Sequence, residues 1–150
     1  MSTLATRNLL LILLGFLGVG ALGGGALLTA SPSGKLMGMP LSMLAGSPFT
    51  DFLMPGLILF IVLGVAPCLL VMAMLKKPES ALADQLNVFR DMHWAWTGCI
   101  YVVFALVCWL QLQMVFLNAV SWLHTFYMLL ALAILAVALL PKIRAAYAKG

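Results

Sequence analysis

Four stretches of the chain are almost continuously apolar: Leu9–Ala30, Met54–Leu75, Trp94–Met114 and Val120–Leu140. Polar and turn-forming residues collect in the segments between them. A hydrocarbon core about 30 Å thick is crossed by roughly 20 helical residues, so the pattern predicts four spanning helices over about 9–30, 54–75, 94–114 and 120–140. The expected fold class is all-α. It is an integral membrane four-helix bundle in which residues 1–150 form a single transmembrane domain. Only a few residues near Leu117–Val120 separate the last two stretches, so they should form an antiparallel hairpin.

Composition agrees with the pattern. Hydrophobic residues make up 65% of the 150 residues and charged residues only 8%, with a mean hydropathy of +1.16. A soluble domain carries about 25% charged residues, so the excess apolar surface should face lipid. The charge is also one-sided. Arg7 precedes the first stretch, Lys76, Lys77 and Arg90 lie between the second and third, and Lys142, Arg144 and Lys149 follow the fourth. With an even number of crossings these seven cations share one side, which the positive-inside rule makes cytoplasmic. The expected orientation is therefore N-in and C-in, in the inner (cytoplasmic) membrane, multi-pass. The net charge of +4 reads as sidedness, with no nucleic-acid partner implied. The first stretch exceeds the 7–15 residues of a signal-peptide core and is expected to be a retained helix.

Several local features refine the picture. The 31–53 connection is the one long outer loop, with turn formers at Pro32-Ser33-Gly34, Gly38-Met39-Pro40, Ser47-Pro48 and Pro55-Gly56. Leu36, Met37, Met39, Leu41, Met43, Leu44, Phe49 and Phe52 make it too apolar for a free aqueous loop, so it should fold back on the helices or lie in the interface. Pro40 is expected to open a short helix through Ala45, and Ser47-Pro48 another. Lys35 and Asp51, the loop's two charges, should pair, or Asp51 should cap a helix. Gly20 and Gly24 form a GxxxG spacing in the first helix. Such a stripe lets helices approach closely; packing within the chain is favoured over a dimer face. Pro67 should kink the second helix. The Leu82, Leu86 and Phe89 spacing after Pro78 suggests a short amphipathic surface helix or an extension of the third helix. Trp94 and Trp96 fit an inner aromatic belt and Trp122 an outer one.

Little here points to catalysis. Cys68, Cys99 and Cys108 lie within helices without CxxC spacing, which reads as packing and not as a disulfide or redox pair. His93 and His124 fall at opposite ends of antiparallel helices, about 30 Å apart. With no third ligand near either, no metal or cofactor is expected. No carboxylate falls mid-helix, where a proton-coupled carrier would need one. The outer half of the last hairpin is more polar. Gln113 and His124 are equidistant from a turn centred on Asn118-Ala119, and Trp109 lies one turn from Gln113. These groups are either interhelical glue or the lining of a small site.

The loop string Pro32-Ser33-Gly34, Gly38-Met39-Pro40, Ser47-Pro48-Phe49, Asp51-Phe52 and Pro55-Gly56 resembles that of a group of small bacterial four-helix membrane proteins. The second hairpin is similar too, in Trp109 with Gln113 and in Ser121-Trp122-Leu123. The resemblance implies a four-helix fold and carries no activity; it departs at the longer, more acidic inner loop. The functional expectation is non-enzymatic binding of a lipid, a small hydrophobic ligand or a partner helix in the outer half of the membrane. Asp51, Gln113 and His124 would be polar contacts, and Phe49, Trp109 and Trp122 apolar walls. Three alternatives follow: a structural subunit or homo-oligomer joined through Gly20 and Gly24, a transporter or channel component, and a lipid enzyme using Asp51 and His124 as an acid/base pair. The middle stretches Leu59–Cys68 and Val102–Cys108 offer no polar path for transport.

Overall fold

The computed structural model describes residues 2–149, which form helices joined by turns; a single bridge between Met92 and Ala148 is the only extended pairing among them. The long helices are α1 (Thr3–Ala30), α2 (Leu53–Lys76), α4 (Trp94–Leu117) and α5 (Trp122–Ala138), with short helices α3 (Ala81–Leu86) and α6 (Pro141–Ala146) at the basic end. α1, α2 and α4 are long and apolar enough to cross a membrane; α5, at 17 residues, is shorter. Contacts run α1 to α2, α2 to α4, α4 to α5 and α5 back to α1, closing a four-helix bundle.

Helix boundaries differ from expectation for local reasons. α1 starts at Thr3 and not near Leu9, because the Ser2 side chain accepts from the Ala5 N–H at 3.0 Å. Arg7 is therefore inside the helix. α5 stops at Ala138 because Pro141 supplies no N–H and disfavours helical geometry at the residue before it. The chain then turns into α6. In the loop, 3-10 turns form at Lys35–Met37 and at Leu41–Leu44 after Pro40. No helix follows Pro48: the Ser47 side chain accepts from Phe49 N–H and holds a turn instead.

The tightest packing is between α1 and α2. A methyl group on Gly25 would meet the Phe60 backbone N at 2.7 Å and the Gly56 carbonyl at 2.8 Å; one on Gly18 would meet Cys68 Sγ at 2.6 Å and the Gly64 carbonyl at 3.1 Å. From the other side, a methyl on Gly56 would meet Leu28 Cβ at 2.8 Å, and one on Gly64 would meet the Leu22 backbone N at 3.0 Å. Gly56 and Gly64 are eight residues apart, and on an uninterrupted α-helix would point about 80° apart. They both face α1 because residues Leu59–Val65 are wound as π turns, each wider by roughly one residue. The expected distortion at Pro67 thus takes this form: the π turns lie just upstream, where the proline ring would crowd the carbonyl of an α-helical turn. Gly20 faces α5, where a methyl would stand 3.0 Å from the Tyr127 hydroxyl, and Gly24 meets Leu59 at an ordinary 3.5 Å.

The main core gathers Leu10, Leu14, Leu17, Leu63, Met74, Cys99, Leu106 and Ile134 between the four helices. The bundle's outer sides stay apolar: Ile12, Val19, Leu69, Phe104 and Leu129 are all well exposed. Trp96 is inside the bundle and not in a surface belt, its indole N–H donating to the Ala138 carbonyl at 2.8 Å.

The basic end is sealed by the C-terminal segment. Tyr147 is 1% exposed; its hydroxyl donates to the Met74 carbonyl at 2.8 Å and its carbonyl accepts from His93 N–H at 2.7 Å. Lys77 donates to the Ala146 carbonyl at 2.7 Å and stands 4.7 Å from the centre of the Tyr147 ring. One residue thereby joins the end of α2 to the start of α4. Burial pushes the Tyr147 phenol above its ordinary value of 10.0, outweighing the opposing pull of the Arg7 guanidinium.

Two predictions follow from the packing. Gly25→Ala should destabilise the protein in detergent by about 1–3 kcal/mol through overpacking, whereas Gly15→Ala, with nothing within 4 Å of the added methyl, should be neutral or stabilising by up to about 1 kcal/mol; thermal midpoints compare them. Tyr147→Phe should cost about 1 kcal/mol at neutral pH. Because the folded phenol holds its proton more tightly than the unfolded one, that advantage is complete below pH 10 and shrinks as pH rises further. Melting both proteins from pH 8 upward reads the difference.

Candidate functional site

The far end of the bundle is covered by residues 31–52, folded back on the helices. Phe52 N–H donates to the Pro32 carbonyl at 2.8 Å, closing the loop at its base. Phe52, 2% exposed, lies over Gly34, whose φ of +78° favours glycine and whose missing side chain leaves room for the ring. Leu28, Leu44 and Phe52 form a second small core, with Met39, Met43, Phe49 and Leu117 packed on it. The apolar loop residues are thus spent on a lid.

Between this lid and α4 lies a cavity of about 60 Å3, lined by Leu28, Leu44, Phe49, Phe52, Trp109, Gln113 and Phe116 among others. Phe49 and Phe116 meet edge to face across it, ring centres 6.4 Å apart. Leu112, 47% exposed, stands at its rim, so the space opens toward the outer side of the bundle. The volume corresponds to roughly two waters or a short length of alkyl chain. The walls are apolar except for Ser47, Gln113 and Trp109. Ser47 is engaged, donating to the Leu44 carbonyl at 2.9 Å. The Trp109 indole N–H is buried without a partner. The Gln113 side chain makes no hydrogen bond to any described residue. An unmet buried donor costs about 1–3 kcal/mol, so an acceptor bound here would be favoured. Two other buried side-chain atoms lack partners, Arg7 Nε and His93 Nε2, but neither residue lines this cavity.

Of the six residues expected at a site, the structure brings together Phe49, Trp109 and Gln113. Asp51 lies elsewhere, its carboxylate accepting from Leu53 N–H at 3.0 Å at the start of α2; among the described residues no ion pair joins it to Lys35. His124 turns onto its own helix start, where Nδ1 accepts from Ser121 N–H at 3.0 Å in a capping box. No hydrogen bond links it to Asp51 or Gln113, so an acid/base pair has no geometry to act through. Trp122 is 73% exposed and away from the cavity. Sequence reasoning missed Leu28, Leu112 and Phe116. Phe116 lies seven residues beyond Trp109, on the same helical face, and was legible in principle; Leu28 comes from α1 and was not.

Among the described residues no three His, Cys, Asp or Glu side chains gather to hold a metal ion. All three cysteines are free; Cys99 is buried against the Met74 sulfur at 3.2 Å, while Cys108 is exposed. No protein-family model matches the chain, and no curated protein or solved structure shows significant similarity to it.

Gln113→Leu removes an amide that the fold leaves unpaired, so in detergent without added lipid it should be neutral or raise stability by up to about 1 kcal/mol. A clear fall in thermal midpoint would mean that the amide is bonded.

Proposed function

We propose that this is a multi-pass integral protein of the cytoplasmic membrane, with both ends inside, that holds a lipid or another small hydrophobic ligand beneath its outer loop. The length and apolar outer sides of the helices support the spanning. The cations clustered at the end opposite the lid support the orientation. The observation that carries the function is the pairing of an unpartnered indole N–H and a free amide on an apolar, side-opening cavity. Trp can only donate, so the ligand presents an oxygen acceptor on a narrow hydrocarbon body, the chemistry of an acyl ester. Binding is favoured over catalysis because the one hydroxyl on the cavity, that of Ser47, is engaged with the Leu44 carbonyl and no acidic or basic side chain lines the space beside it.

A second reading, a homo-oligomer or the subunit of a membrane complex, rests on a shallow apolar groove on α1 formed by Ile12, Gly15, Phe16, Val19 and Gly20. The lipid-binding reading stands ahead of it because the groove has no polar group to select an occupant.

Native mass spectrometry from mild detergent should find retained phospholipid, bound about fivefold more weakly by Trp109→Phe, the equivalent of one lost hydrogen bond of about 1 kcal/mol. Equal retention by both proteins would remove the site. In whole cells, Ser33→Cys should react with an impermeant maleimide from outside, and Glu79→Cys only after permeabilisation; the reverse pattern inverts the orientation.

A further inference from the structure

The connection between α2 and α4 does not hang below the bundle. At Pro78 it is level with the start of α4, because the Trp94 indole N–H donates to the Pro78 carbonyl at 2.8 Å. By Leu86–Val88 it has climbed. The Tyr101 hydroxyl donates to the Leu86 carbonyl at 2.6 Å and accepts from Val88 N–H at 3.2 Å. Tyr101 lies seven residues into α4, about 10 Å above its first residue. Thr97, one turn below Tyr101, donates to the Asn87 side chain, and Asn87 is 2% exposed and donates to the Met92 carbonyl at 2.8 Å. The segment thus rises beside α4 and returns, fixed by hydrogen bonds from two successive turns of that helix.

Its outward side is apolar. Leu82, Leu86 and Val88 are 69%, 65% and 69% exposed. The polar side of α3 is occupied, with Asp84 paired to Lys149 at 3.3 Å and the Asp84 carbonyl accepting from Arg90 at 3.5 Å. The apolar patch continues along α4 into Phe104, three residues beyond Tyr101 and 64% exposed. Lys76, Lys77 and Arg90 flank the segment in sequence, and cations in such positions suit anionic headgroups.

We infer that α3 and the residues through Phe89 form a re-entrant segment immersed in the leaflet at the basic end, with Leu82, Leu86 and Val88 among the acyl chains and the neighbouring cations at the headgroups. This rests on the reading that the bundle spans a membrane. The occupant is lipid because the patch is level with the lower turns of α4 and continuous with their exposed apolar side. A soluble partner would have to enter the bilayer to cover it.

The test uses the unmodified chain in phosphatidylethanolamine–phosphatidylglycerol vesicles containing a phospholipid with a diazirine on its acyl chain. After photolysis, peptide mapping should place adducts within residues 81–89 as well as at Phe104 and at Ile61, an exposed residue midway along α2. Adducts at Phe104 and Ile61 but none within 81–89 would overturn the inference alone. Adducts at none of these positions would overturn the membrane reading with it. A second measurement places a nitroxide at Leu86→Cys, with Cys68, Cys99 and Cys108 changed to Ala. Its ratio of oxygen to nickel-chelate collisions should exceed that at Glu79→Cys by at least roughly threefold, as for a side chain about 5–10 Å below the headgroups. An equal ratio, or shielding from both reagents as under a protein partner, would overturn the proposal.

Discussion

The close approach of α1 and α2 is the constraint from which much of the rest follows. At Gly25 and Gly56 the two backbones come within the reach of a single methyl group, and at Gly18 and Gly64 the same happens about two turns away. Helices that pack in lipid would gain nothing from hiding apolar surface from one another, so contact distance would matter more there than in water. Keeping both glycine pairs in register requires α2 to be rewound through Leu59–Val65. That rewinding sets which face of α2 meets α4, and so which residues, Leu63, Leu70 and Met74 among them, complete the core.

The two ends of the bundle are finished differently. At the basic end side chains close on backbone: Tyr147 on Met74, Lys77 on Ala146, Trp96 on Ala138 and Trp94 on Pro78. The last turns of three helices are locked by these bonds, leaving little that could move without breaking several at once. At the other end the lid is held by apolar packing around Phe52 and by a few turn hydrogen bonds. There the Trp109 N–H and the Gln113 amide remain unmet. Buried polar atoms go unmet at the basic end too, at Arg7 Nε and His93 Nε2, but it is the pair at the lid end that borders a cavity.

Much of the fold was legible because its determinants are local or compositional. The four apolar stretches, the short hairpin at Leu117–Val120, the turn formers of the loop and the amphipathic spacing at Leu82 and Leu86 each report on nearby backbone. The site was legible in part. Trp109 and Gln113 share a face by helical spacing, and Phe49 belongs to a loop too apolar to float. Asp51 and His124 were read as ligand contacts because polar residues in apolar surroundings attract attention. Each satisfies the start of its own helix instead, the commoner use of such residues.

What the sequence determined alone was the helical class, the number of long apolar segments and the gathering of cation-bearing segments at one end, since these depend on periodicity and charge summed over many residues. Tertiary structure decided which glycines meet, and that α2 is wound as π turns before Pro67. It also decided that the connection after Pro78 climbs back along α4 and that the lid encloses Trp109 and Gln113 with Leu28 from a third helix. Those outcomes depend on contacts between residues far apart in the chain, where one side chain's fit is set by the backbone of another element.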